Sequence, residues 1–268
     1  MLLCPISLLL LSISASHPGI PRPVSSAPLS KTQAPSAAIE SAADELVDRL
    51  VQNAAALHAT LPSLTAHEVV RTGASSGILM HRSQGEGTVR VLRAASSGLL
   101  EETHQMTSFN KKPIAPGDPK APAQPTDAFS GLMDRFFSRA NRPCFTFTLA
   151  PQPTKDDPLQ LRISLSPDYA SRPDCARGLE GLAGIALVDP ATHRLTHLEQ
   201  TVPAAGGRGG RFVSTDYAPA SIGDKTLWLP ILSLSSDIQG KTRTCTSVYY
   251  SDYHQYAANV TILSATSQ

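Results

Sequence analysis

The chain is poor in charge, poor in aromatic residues and poor in cysteine, and past its first residues it has no long apolar run. Lys and Arg number 23 against 22 Asp and Glu, a net charge of +1. That balance excludes a broad phosphate-binding surface, which needs clustered cations, so no nucleic-acid partner is expected. No later segment approaches the roughly 18 apolar residues of a membrane helix, so no transmembrane span is expected once a leader is removed. None of the four cysteines has another two to four residues away, which excludes a local zinc knuckle. No other His, Cys or carboxylate cluster has ligand spacing, so neither a metal nor a cofactor is expected.

What remains is a globular composition, 41% apolar and 17% charged over 268 residues, long enough for one sizeable domain. Its 22 prolines are unevenly spread, with ten of them crowded into residues 18–35 and 113–125. The first 16 residues, MLLCPISLLLLSISAS, read as a secretory signal peptide. Leu2 to Ile13 has the length of an h-region, and Ser14, Ala15 and Ser16 suit cleavage. No Lys or Arg precedes the run, so either the α-amino group supplies the positive end or translation starts upstream. Cys4 stands near the start of the apolar run rather than after it, the wrong place for lipidation. A periplasmic or secreted location follows. Export leaves Cys144, Cys175 and Cys245 where disulfides form, enough for one bridge and one thiol. Cys144 with Cys175 is somewhat better placed, because the intervening hairpin brings its ends together, and Cys245 remains a rival.

Residues 17–36, rich in Pro and Ser, suit an extended tether, and 37–268 a single domain. The stretch AAIESAADELVDRLVQNAAALHATL predicts an amphipathic helix, with Leu46, Leu50 and Leu57 on one stripe widened by Val47 and Val51. Pro62 closes it, and His58 sits at its edge as a boundary histidine. Short strands follow in AHEVVRT, GILMHR and TVRVLRA, then a Pro-rich loop at about 111–127. FSGLMDRFFSRA predicts a second helix, with Phe129, Leu132, Met133, Phe136 and Phe137 on one face. From Cys144 onward, CFTFTL, LQLRISLS and five further segments alternate apolar and polar residues, the pattern of an antiparallel sheet with one buried face. Gly223 and Asp224 suit a two-residue hairpin turn. The tyrosines at 249, 250, 253 and 256 suit cross-strand packing in the last strand.

Four motifs invite chemistry. GASSG, residues 73–77, matches a nucleophile elbow around Ser75, but no helix pattern follows and the βαβ rhythm is missing, so a loop between strands is expected. GGRGG at 206–210 lacks the Lys-Ser/Thr ending of a phosphate loop. Asn259 opens a glycosylation triplet, which occurs often by chance. His193 and His197 have the i, i+4 spacing of a helical zinc pair, yet Asp189 and Pro190 place them on a turn and a strand, about 13 Å apart.

The order of these elements resembles the LolA-like proteins, the periplasmic carriers that sort outer-membrane lipoproteins, and their exported bacterial relatives. The resemblance rests on the long helix ending in LPSLT (61–65), the Phe-rich helix and the hairpin GIALVDPATHRLTHL. It also rests on VSTDYAPASIGDKTLWLPILSLS followed by RTCTSVYYSDYHQY. It spans 38–263 loosely and is sharpest over 184–256. It implies an α+β fold, an open (incomplete) antiparallel β-barrel or strongly curved sheet with one to three helices on its concave side. It also implies a non-enzymatic, exported binder of lipid or lipoprotein acyl chains or another apolar ligand. Cavity candidates are then Phe129, Phe136, Phe137, Phe145, Phe147 and Trp228. The Pro-rich insert and the three cysteines depart from the sorting carriers, and no arginine can be matched as a latch. The alternative is a cell-envelope scaffold that meets a protein partner through a strand edge or the insert, with no small-molecule ligand.

Overall fold

The computed structural model describes residues 37–256 except 77–78, 94–99, 120, 122–127, 130, 173, 176–178, 180 and 204–208. The expected leader and tether, Asn259, residues 206–208 of the GGRGG stretch and most of the insert after 119 lie outside these residues.

A 24-residue helix, α1 (Ala37–Thr60), carries Leu46, Val47, Leu50 and Val51 on a buried stripe with Ala43 and Ala54, as its 3.6-residue period requires. Strands β1 (Leu64–Ser76), β2 (Leu79–Arg93), β3 (Leu100–Phe109) and β4 (Lys112–Pro113) follow, then the short helix α2 (Gly131–Phe137). The remaining strands are β5 (Phe145–Leu149), β6 (Leu159–Leu165), β7 (Ala183–Val188), β8 (Leu195–Pro203), β9 (Gly209–Ile222), β10 (Lys225–Gln239) and β11 (Thr242–Gln255). All neighbours pair antiparallel in one open, curved sheet of order β4-β3-β2-β1-β11-β10-β9-β8-β7-β6-β5. This is an α+β plan with an open curved sheet, and among the described residues the first and last strands of the order are its edges.

One parity of residue on each strand faces the helices, because side chains alternate across a sheet. Leu64, Ala66 and Val70 on β1, Val89 and Val91 on β2, and Leu161 and Ile163 on β6 are buried there. Two cores result. One packs α1 and α2 against β5 to β9. The other gathers Leu61, β1 to β3, Phe129, and Ile222, Leu229, Val248 and Tyr250 from β9 to β11 in the middle of the sheet.

Four details correct the sequence expectations. GILMHR and TVRVLRA are one strand, β2, which runs through Gly85 and Gly87 without a break. At Gly87 a Cβ would lie 2.5 Å from the Met106 Cε and 2.4 Å from the Gln105 carbonyl oxygen, so only glycine lets β3 pack so closely. The start of the Pro-rich insert is not loop: Lys112 and Pro113 pair with β3, and Ile114 packs on the second core. Helix α2 begins at Gly131, so Phe129 precedes it and enters the other core from Phe136 and Phe137. GASSG is not a loop between strands over its described part either: residues through Ser76 belong to β1.

Candidate functional site

The hairpin turn between β7 and β8 is built by Asp189. Its Oδ1 accepts from the Ala191 N–H at 3.1 Å, the Thr192 N–H at 2.6 Å and the Thr192 hydroxyl at 2.7 Å, an Asx-type cap on a turn that Pro190 pre-bends. These bonds hold the Asp189 carboxyl below the usual carboxylate range. His193 closes the turn at φ 53° and touches α1: the Asn53 amide donates to the His193 carbonyl at 3.1 Å, and Arg49 Nη1 lies 3.2 Å from its Nδ1. His193 thus docks the hairpin on the helix. His197 lies on the outer face of the sheet between Asp216 and Glu199, its Nε2 3.0 Å from Glu199 Oε1. The two imidazoles therefore have separate structural partners. Among the described residues no group of three His, Cys, Asp or Glu is arranged to hold a metal.

The aromatic candidates divide into three places. Phe136, Phe137, Phe145 and Phe147 form one cluster under α1: Phe136 meets Phe145 edge-on at 5.1 Å, and Phe137 stacks on Phe147 at 6.0 Å. Phe129 instead meets Tyr250 at 5.3 Å and Tyr253 at 6.3 Å. Trp228 is half-buried beside a small pocket between α1, α2 and the sheet, lined by Leu50, Asn53, Leu57, Met133, Phe137, Arg194 and Leu195. That pocket has a volume of about 30 Å³, room for little more than a water molecule. Among the described residues, Phe136 and Phe137, which are 0% and 1% exposed, plug the space between α1 and the sheet.

The plug is a helix of seven residues, too short to be stable without its packing. It is tied to α1 by His58 Nε2, 2.8 Å from Asp134 Oδ1, and to the sheet by Arg135 Nη1 donating to Gln200 Oε1 at 3.4 Å. Burial raises the Asp134 carboxyl above its usual range, with His58 opposing the rise.

A larger groove, about 320 Å³, lies between the first turns of α1 and the edge strand β5. Its walls are Phe145 to Leu149, Ala43, and the charged rim Glu40, Asp44 and Arg142. Arg142 spans Asp44 and Asp48, 3.0 Å from each. Beneath it, Cys144 and Cys175 are joined as a disulfide with Cα atoms 5.5 Å apart. Cys245 stands elsewhere, its thiol 3.7 Å from the Ser236 hydroxyl.

The buried face also holds a polar cluster that the sequence reading missed. Glu68 is 0% exposed, and its Oε2 lies 2.7 Å from His104 Nδ1. Glu102 Oε1 accepts from the Phe129 N–H at 3.0 Å. Tyr250 stands directly opposite Glu68 in the β1–β11 register. Burial, and then the carboxylates of Glu68 and Glu102, push its phenol well above the usual range. The available signal was parity: Glu68 occupies an inward position between Ala66 and Val70. Ser75, by contrast, sits inside β1 paired with Met80 and Arg243, with no helix to raise it as a nucleophile.

No family model and no curated protein match the sequence. Among solved structures the chain is similar to a LolA superfamily protein, NE2245, from Nitrosomonas europaea, with 11% identity and a TM-score of 0.35 over 80% of this chain and 94% of that one. It is similar to a DUF1329 family protein from Desulfovibrio piger, with 9% identity and a TM-score of 0.40 over 83% and 95%. It is also similar to a chain of the Pseudomonas aeruginosa MucA/MucB complex, with 11% identity and a TM-score of 0.23 over 81% and 100%. The first belongs to the family that the hairpin and helix motifs resemble. Scores and identities this low carry no conclusion about what the chain binds.

Proposed function

We propose that this is an exported, non-enzymatic binding protein whose half-barrel holds an acyl chain, free or on a lipoprotein, or another apolar ligand, after displacing the α2 plug. The observation that carries this reading is the plug itself. Phe136 and Phe137 fill an apolar concavity from a seven-residue helix, and a ligand of matching apolar area can replace them at small net cost. Burying each phenylalanine is worth about 1.5–3 kcal/mol, and an acyl chain recovers the same term at about 0.8 kcal/mol per methylene. The half-buried Met133 and Trp228 beside the pocket are then the first surface such a chain meets.

Lipid extraction of the protein purified from its exporting host, followed by mass spectrometry, tests the reading. A stoichiometric acyl species is expected, together with displacement of a fluorescent fatty acid. Repeated preparations free of lipid, with no fatty-acid binding, would sink it.

A second reading, an envelope scaffold or protein-interaction module, is supported by the insert, which presents exposed Lys111, Lys112 and Pro113 at the β4 edge. A partner that co-purifies with the parent and is lost on deleting residues 111–127 is the expected result. Unchanged co-purification argues against it.

A further inference from the structure

The small pocket between α1, α2 and the sheet has an apolar wall of leucines, Met133 and Phe137, and three polar residues, Asn53, Arg194 and Trp228. Arg194 is the only charged residue in its lining. The Arg194 backbone is fixed on the hairpin turn: the Asp189 N–H donates to its carbonyl at 2.9 Å, and its own N–H donates to the Thr192 hydroxyl at 3.4 Å. Its exposed guanidinium makes no hydrogen bond or ion pair among the described residues. The Trp228 indole nitrogen, which can only donate, is buried and has no hydrogen-bond partner among the described residues. Asn53 has committed its amide nitrogen to the His193 carbonyl at 3.1 Å. Two donor groups and no acid thus border an apolar wall, and a buried donor without an acceptor is costly.

We infer that the ligand of this pocket is an amphiphile with a free carboxylate head, held by Arg194 and the Trp228 N–H while its apolar tail takes the place of Phe137. This rests on the apolar-ligand reading above and names the chemical class of that ligand. Charge is the first reason. A carboxylate offers acceptors only, and the planar guanidinium fork matches its two oxygens. An acyl group in an ester or amide brings no charge and leaves the guanidinium unmatched. Position is the second reason. Phe137 both lines the pocket and stacks on Phe147 at 6.0 Å, so withdrawing it joins the pocket of about 30 Å³ to the aromatic cluster under α1. The tail then runs inward from a head at the exposed rim, where Arg194 stands. Anchoring is the third reason. The Asn53–His193 bond docks the Arg194 hairpin on α1, so the arginine keeps its place when α2 moves.

Trp228 is the only tryptophan of the chain, so its emission reports occupancy of the pocket directly. Titration of the full chain with laurate and with dodecanol, in mildly alkaline buffer where the acid is ionised, compares two heads on one tail. Laurate is expected to bind roughly tenfold more tightly, the worth of a charge-assisted hydrogen bond. Arg194→Met removes that preference and binds dodecanol as the parent does, and an unchanged unfolding midpoint shows that the variant is folded. Arg194→Lys, which keeps the charge without the fork, retains part of the preference. Equal affinity for the two lipids in the parent overturns the carboxylate head and leaves the apolar-ligand reading standing. A preference that survives Arg194→Met also overturns it, as does tighter binding of dodecyl phosphate than of laurate. Binding of none of these lipids overturns both.

Discussion

Glu68 and His104 lie two strands apart on the buried face, and yet their Oε2 and Nδ1 atoms are 2.7 Å apart. The residue opposite Glu68 on the intervening strand is Gly87, which places no side chain between them, and the Met106 methyl takes the space a Cβ would need. A buried pair of this kind contributes little net stability but is costly to break singly. His104→Leu leaves Glu68 buried without this bond and is expected to cost about 3–5 kcal/mol in denaturant unfolding. The double variant Glu68→Leu/His104→Leu is expected to cost less than His104→Leu alone. A double variant that costs the sum of the two single losses contradicts this account.

On the outer face, His197 contributes a pH-dependent increment. Burial disfavours its charge, but the carboxylates of Asp216 and Glu199 outweigh burial and raise its pKa from 6.5 to about 9. A raised histidine pKa means the folded state holds the proton more tightly than the unfolded chain. The stabilisation is therefore fully present below about pH 6.5 and is lost as pH rises through about 9. Asp216→Asn should flatten this slope. Unfolding midpoints of parent and variant across that window check it, and parallel curves count against the pair.

Gly184 tests the packing of the plug. It lies on β7, where an added Cβ would stand 2.8 Å from the Phe136 Cζ and 2.5 Å from the Glu199 carbonyl oxygen. Gly184→Ala is expected to cost about 1–3 kcal/mol, the range of overpacked cores, by pushing Phe136 outward and loosening β8. If α2 is the gate for a ligand, the same variant should bind fluorescent fatty acid faster than the parent. Unchanged stability would mean that Phe136 yields freely.

What the sequence made legible was what alternation and turn chemistry encode. Leu46, Leu50 and Val51 placed α1, FTFTL and LQLRISL placed β5 and β6, and Asp189 with Pro190 placed the turn of the resembled hairpin. Contacts set by register were not legible. Glu68, Glu102, His104 and Tyr250 meet only because four strands align, and no local spacing announces them. Boundaries failed where glycine was read as punctuation. Gly87 sits mid-strand where Met106 crowds the backbone, and Phe129 shares a helical period with Phe136 without sharing the helix.

The disulfide gives the last prediction. Cys144 and Cys175 close a loop of 31 residues that contains the β5–β6 hairpin, and both are buried, at 0% and 2% exposure. Cross-linking a loop of that length removes unfolded-chain entropy worth about 3.5 kcal/mol. Without the bridge, β5 is held on one side by β6 and by the packing of Phe145 and Phe147 on α1 and α2, so the loss should fall first on the edge. Cys144→Ala/Cys175→Ala is the cleaner variant than either single change, because it leaves no thiol to pair with Cys245. It is expected to lower stability by about 2–5 kcal/mol, and the Phe147 amide should lose protection before the Leu198 amide does. A double variant as stable as the parent would show that packing of Phe145 and Phe147 alone holds this end of the sheet.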